Sequence, residues 1–285
     1  MSIVFSYGTL LRGMQRSRVL RHARFLGLGE AEGVLLNLIH YPGLIKGSGR
    51  VTGELYEVDQ DTLNELDQIE GYDPRDAEGS LYQRITLKIS SLDDGKHLNA
   101  FAYLYNQDTS VFSRISSGDY RQLVEIFTNE ETFYIAYGSN RNPDRLKQRI
   151  GPIAVGAKGY LDDFRLVFNK ANGDGSACAN LQSAQGHRVP FVAYRLPEGL
   201  DQLYLLDVFE GVPDSYRRIV FPFPLGPDRG HALGHLYVTN PSRISEGLLP
   251  KDDYLDHIET GYKIHGFEDD LPRLLGCYED AHEFV

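Results

Sequence analysis

The spacing of apolar residues changes along the chain, and the changes occur twice in the same order. Ile3-Val4-Phe5 is a short apolar run that ends in Tyr7-Gly8-Thr9-Leu10. Phe133-Tyr134-Ile135-Ala136 is a second such run and ends in Tyr137-Gly138-Ser139-Asn140. A short apolar run closed by a glycine turn predicts a buried strand. Basic, helix-compatible stretches follow at 12–21 and 141–149, then a strand at 53–58 matched by one at 191–196. Each half continues with a helical pattern, 62–71 and 202–211, that closes on Glu-Gly. A tyrosine near an arginine comes next: Tyr82 with Arg84, and Tyr216 with Arg217 and Arg218. Alternating residues such as Ile85, Leu87 and Ile89 predict half-buried strands. Aromatic strands at 101–105 and 234–238 close the halves.

This long internal repeat organises the chain. It predicts two domains, 1–128 and 132–285, joined by the polar segment 129–132. Residues 119–128 are expected to form a short helix ending the first. The second carries an additional helical region at about 252–275, with Leu255, Ile258, Leu271 and Leu274 as its apolar face and Gly261 and Gly266 interrupting it. Few, short helices among many strands predict an α+β fold. Each domain is a small barrel-like mixed sheet rather than a doubly wound one.

Length and charge agree with this division. The 285 residues suit about two domains at roughly 150 residues each. A formal net charge of -11 argues against a nucleic-acid partner. No apolar stretch reaches the ~18 residues that a membrane helix needs, and no basic-then-apolar leader opens the chain. Two cysteines, Cys178 and Cys277, exclude a disulfide scaffold and fit a reducing compartment. The expectation is a soluble cytoplasmic protein.

The candidate chemistry centres on Glu70 and Glu210. Each lies four and seven residues after a leucine (Leu66 and Leu63; Leu206 and Leu203), so helical spacing puts it on the apolar stripe. Each also closes its helix before a glycine suited to a left-handed cap. Burial and the negative helix end both raise a carboxyl pKa, which suits a general base that later acts as an acid. In the Tyr-Gly-Thr/Ser turns, the glycine lets backbone N–H groups approach a ligand. Tyr82 and Tyr216 read either as core or rim aromatics or as substrate contacts. Arg84, Arg217 and Arg218 read either as surface charges or as supports for a carboxylate. No HExxH or Cys/His zinc spacing occurs, Gly27, Gly29 and Gly33 miss the dinucleotide fingerprint, and Cys178 reads as a small buried residue.

The ordered set resembles the gamma-glutamylcyclotransferase superfamily. Tyr7-Gly8-Thr9-Leu10, with Tyr41-Pro42-Gly43, is similar to its gamma-glutamylamine branch. Tyr137-Gly138-Ser139-Asn140, with 177–181 and the 254–262 region, is similar to the gamma-glutamylcyclotransferase branch proper. The resemblance implies a lyase- or transferase-type cyclisation of a small gamma-glutamyl substrate. The products are 5-oxoproline and an amine or amino acid, with no metal or organic cofactor. It implies Glu70 and Glu210 as catalytic residues. It implies Tyr7, Gly8, Thr9, Leu10 and Tyr82, and Tyr137, Gly138, Ser139, Asn140 and Tyr216, as the substrate contacts. The second half keeps the longer family pattern and is slightly favoured as the working one. A binding module without turnover, or one active domain beside a degenerate one, stays open. The leaving amine and the oligomeric state are not encoded in these patterns.

Overall fold

A computed structural model describes residues 1–226 and 230–271. The chain divides into two compact units, Met1–Phe127 and Thr128–Val285.

In unit 1 the strands are β1 (Ser2–Ser6), β2 (Arg24–Asn37), β3 (Pro42–Val58), β4 (Tyr82–Ser91), β5 (His97–Tyr105) and the short β6 (Ser113–Arg114). Helix α1 (Gln60–Glu70) follows β3, and α2 (Tyr120–Thr128) follows β6. β1 lies antiparallel to β3 and parallel to β5, β3 pairs with β2, β2 with β4, and β4 with β5. That circuit closes a five-stranded barrel. Phe5, Leu35, Leu44, Val51, Leu55, Ile89 and Ala102 fill it, each at most 1% exposed.

Unit 2 repeats the order with β7 (Thr132–Ala136), α3 (Pro143–Ile150), β8 (Ala154–Ala171), β9 (Ala177–Leu196), α4 (Leu200–Glu210), β10 (Tyr216–Pro224), β11 (His231–Thr239) and α5 (Asp252–His265). β7 again sits between an antiparallel neighbour, β9, and a parallel one, β11. The sheet runs β10-β11-β7-β9-β8 over a core that includes Ile135, Phe191, Phe223 and Leu236. In both units the strand that leads into Tyr-Gly therefore lies between an antiparallel and a parallel neighbour, and the turn follows its C-terminal end.

Two local expectations differ from the structure. The basic stretch 12–21 forms successive turns and one 3-10 segment, Ser17–Leu20, instead of an α-helix. Gly13 takes φ 78°, and the Arg16 N–H donates back to the Thr9 carbonyl. In unit 2 the matching stretch does become a helix, because Asn142 caps it and Pro143 occupies its first turn. Gly261, expected to interrupt the C-terminal helix, lies inside α5. A Cβ there would fall 2.8 Å from the Arg141 Cβ, so the glycine permits close packing. Gly266 does end the helix, in the left-handed conformation. Leu274 and Cys277 lie outside the described residues. Among the described residues, no helix is long and apolar enough to cross a membrane.

A buried ion pair locks the loop that follows β1. Glu54, fully buried on β3, accepts from Arg121 of α2, from the Tyr56 hydroxyl at 2.8 Å and from the Arg12 N–H at 2.9 Å. Arg121 also donates twice to the Arg12 carbonyl, at 3.0 and 3.1 Å. Removing one member of a buried pair leaves a charge without compensation. Arg121→Met is expected to destabilise unit 1 by about 3–5 kcal/mol in urea denaturation, and Glu54→Leu in the same chain should recover much of that loss.

Candidate active sites

In unit 1 the site begins with the ends of α1. Asp59 caps the first turn by accepting from the Thr62 N–H at 2.8 Å. Leu63 and Leu66 anchor the buried face, and Gly71 closes the helix at φ 62°, ψ 39°. The Tyr72 N–H reaches the Asp67 carbonyl at 2.9 Å, which fixes this end. Glu70, the last helical residue, faces a cavity of about 150 Å³ that Tyr7, Gly8, Thr9, Leu10, Arg16, Tyr41 and Tyr82 also line. Among the described residues, no hydrogen bond or ion pair holds its carboxyl. Burial pushes it up to about 7, against the opposing pull of the Arg16 guanidinium. The Gly8, Thr9 and Leu10 N–H groups likewise have no acceptor among the described residues. Gly8 is required by close approach, since a Cβ would lie 2.7 Å from the Pro42 Cγ.

Unit 2 builds the same arrangement with a different carboxyl environment. Gly211 caps α4 at φ 64°, ψ 43°, and the Val212 N–H donates to the Asp207 carbonyl at 2.9 Å. Glu210 faces a cavity of only about 30 Å³, lined with Tyr137, Gly138, Ser139, Asn140, Tyr216 and Tyr254. Its Oε1 accepts from Asn140 Nδ2 at 2.9 Å and from Arg149 Nη1 at 3.1 Å. Arg149 also donates to Asn140 Oδ1 at 3.1 Å, so the three side chains form a closed set. Burial raises the Glu210 pKa, while Arg149 and the Asn140 hydrogen bond oppose the rise.

One frame positions both carboxyls. The Tyr7 hydroxyl donates to the Tyr103 carbonyl on the parallel neighbour β5. The Tyr103 hydroxyl donates to Asp67 at 2.7 Å, and Arg84 pairs with the same Asp67 at 2.6 Å. Asp67 lies one helical turn before Glu70. In unit 2 the Tyr137 hydroxyl donates to the Tyr237 carbonyl at 2.6 Å, the Tyr237 hydroxyl to Asp207 at 2.8 Å, and Arg218 pairs with Asp207 at 3.2 Å. The Tyr82 and Tyr216 hydroxyls donate to the Pro42 and Ala179 carbonyls, each at 2.8 Å. Strand, turn and helix end are thus tied to one another twice by corresponding groups.

Comparison with known proteins agrees with this repeated geometry. The sequence pattern of the family described as "Gamma-glutamyl cyclotransferase, AIG2-like" matches twice, over 4–122 and 134–261. The chain belongs to this family. A Vibrio cholerae protein, provisionally named a gamma-glutamylcyclotransferase, is 36% identical over 124 residues, 43% of this chain and 97% of its own length. The gamma-L-glutamyl-butirosin B gamma-glutamyl cyclotransferase of Niallia circulans is 32% identical over 121 residues, covering 42% of this chain and 75% of that protein. YkqA from Bacillus subtilis, 22% identical, shares the fold over 96% of this chain and 97% of its own, with a TM-score of 0.70.

Within this cyclotransferase-family chain, the residues singled out from sequence fall into two groups in space. Tyr7, Gly8, Thr9, Leu10, Glu70 and Tyr82 line one cavity. Tyr137, Gly138, Ser139, Asn140, Glu210 and Tyr216 line the other. Arg84 and Arg218 support the helix aspartates and do not line the cavities. Sequence reasoning missed Asp67 and Asp207, although their shared place three residues before each glutamate was a readable signal. It also gave no site role to Arg16 or Arg149, whose approach to the carboxyls depends on tertiary packing.

The Glu70 environment has a consequence for stability. Its folded pKa, about 7, lies above the 4.5 of an exposed glutamate, so the folded state holds the proton more tightly than the unfolded chain. The associated stability is fully present below the unfolded value and is lost as pH rises through about 7. Glu70→Gln removes this loss. The variant is expected to gain on the wild type by up to about 3 kcal/mol between roughly pH 5 and 8, measured by denaturation across that range. A gain that does not change with pH would contradict the buried, unpaired carboxyl.

Proposed function

We propose that the protein cleaves gamma-glutamyl amides by internal cyclisation, releasing 5-oxoproline and an amine or amino acid. Glu70 and Glu210 act as the proton carriers of the two sites. The observation that carries this reading is the Glu70 carboxyl: unpaired among the described residues, pushed up to about 7 by burial, and lining one cavity with a turn whose N–H groups have no acceptor among the described residues. The reacting group is the one named for the Niallia circulans relative.

The proposed chemistry needs no protein nucleophile. The carboxylate takes a proton from the substrate α-ammonium, and the freed amine attacks the γ-carbonyl carbon. A C–N bond forms, and the carbonyl oxygen becomes an oxyanion that the turn N–H groups can receive. On collapse the carboxylic acid returns its proton to the leaving nitrogen and the original C–N bond breaks; the second proton of the attacking nitrogen, now in the ring, passes by way of the same carboxylate to the released amine, which departs as an ammonium. Arg16 in unit 1, and Arg149 with Lys170 and Arg145 in unit 2, are the cations near each carboxyl. Holding the glutamyl chain in its ring-closing pose supplies much of the acceleration.

The test is 5-oxoproline release from a panel of gamma-glutamyl compounds by wild type, Glu70→Gln, Glu210→Gln and the double variant. The double variant is expected to lose at least about a hundredfold, while each single variant keeps the turnover of the other unit. A folded wild type that releases nothing from any compound would sink the enzyme reading. In the Glu210→Gln protein, kcat/KM is expected to rise with pH and level off above about 7, because Glu70 must be deprotonated to act as the base. A profile flat through that range would remove Glu70 from the role.

A further inference from the structure

Unit 2 contains a second cavity, of about 170 Å³, beside the one that holds Glu210. Tyr254 of α5 lines both, so they adjoin at this residue, which is held by the Ala179 N–H donating to its hydroxyl at 3.0 Å. Arg145 lies on α3, one turn before Arg149, and lines the second cavity. Its charge and that of Glu210 influence each other, so the two cavities are close neighbours.

None of the acids that line this cavity pairs with Arg145, and Glu210 acts on it only from the neighbouring cavity. Lys251 pairs with Asp174 at 2.6 Å. His257 has its Nδ1 3.2 Å from Asn142 Nδ2, and burial and the two nearby arginines hold its pKa below the ordinary value, against the opposing pull of Asp253 and Asp256. Asp253, the remaining acid in the lining, makes no ion pair with Arg145. Among the described residues, no carboxylate pairs with Arg145, and its Nε is buried without a hydrogen-bond partner. Burial and the like charge of Arg149 both disfavour this cation. A carboxylate entering the cavity would relieve that cost and could meet the guanidinium through two hydrogen bonds. The unit 1 cavity contrasts with this one. Tyr41, Leu81 and Tyr82 line it, and among its lining residues Arg16, beside Glu70, is the one cation.

We propose that the second cavity of unit 2 receives the leaving-group half of the substrate, and that Arg145 pairs with a carboxylate there. Arg145 is then the residue by which unit 2 separates gamma-glutamyl compounds with an acidic leaving group from those with a neutral one. The inference rests on the cyclotransferase reading of the Glu210 site, so its test measures binding separately from turnover.

The probes are gamma-glutamylalanine and gamma-glutamylethylamine, which differ by one carboxylate on the leaving group. Calorimetry on the full-length Glu70→Gln/Glu210→Gln protein gives their affinities without cleavage. The acidic probe is expected to bind at least about tenfold more tightly. Adding Arg145→Gln should abolish that preference while changing the ethylamine probe by less than about twofold, and Arg145→Lys should restore part of it. Equal affinities, or a preference that survives Arg145→Gln, would overturn the proposal. An equal loss for both probes would also overturn it, by assigning Arg145 to the glutamyl carboxylate common to both. A lost preference in a chain whose wild type releases no 5-oxoproline would support the subsite and defeat the cyclotransferase reading. Turnover with no role for Arg145 would do the reverse.

Discussion

The hydroxyl of the tyrosine that ends the central strand of each unit is the contact on which the site depends. Tyr7 and Tyr137 donate to the carbonyls of Tyr103 and Tyr237 on the parallel neighbour strand. Those tyrosines in turn hold Asp67 and Asp207, one turn before the helix-end glutamates. The turn that presents its N–H groups and the helix that presents its carboxyl are thereby referred to the same strand. A carboxyl at a freely fraying helix end would sample water and keep an ordinary pKa. Here the left-handed glycine caps and the aspartate anchors prevent fraying, so burial can raise it.

The two units place the same groups on this frame and then treat the carboxyl differently. In unit 1 the carboxyl is unpaired among the described residues and the cavity is the larger of the two that hold a glutamate. In unit 2 Asn140 and Arg149 occupy one of its oxygens, and Tyr254 of α5 joins the lining of a smaller cavity. The difference begins in the segment after Tyr-Gly. Asn142 and Pro143 start a helix that carries Arg145 and Arg149 to the site, whereas Gly13 turns the corresponding stretch of unit 1 into successive loops. A local capping choice thus decides how many cations surround the base. The longer family pattern of the second half favoured that half, yet the less constrained carboxyl belongs to the first.

Much of this architecture was legible along the chain, because it is local. The period of apolar residues set the strands and helices. The Leu63-Leu66-Glu70 and Leu203-Leu206-Glu210 spacings put the glutamates on buried stripes, and the following glycines stopped the helices there. Repetition of the whole order raised these weak signals above chance, and the same order carried the family resemblance. Gly261 misled, because a helical glycine reads as a break unless the packing of Arg141 against it is known.

What depends on residues far apart in sequence belonged to the tertiary structure alone. Closure of the unit 1 barrel, the Asp67–Tyr103 and Asp207–Tyr237 bonds, the Glu54–Arg121 pair and the Arg149 clamp on Glu210 each join positions tens of residues apart. Periodicity reports which face of an element is buried and cannot report which partner buries it. The sequence by itself determined two repeated units, each with one carboxyl at a capped helix end beside a glycine turn. Only the packing decided that one carboxyl stands free and the other is held, because a pKa and a cavity are set by neighbours in space.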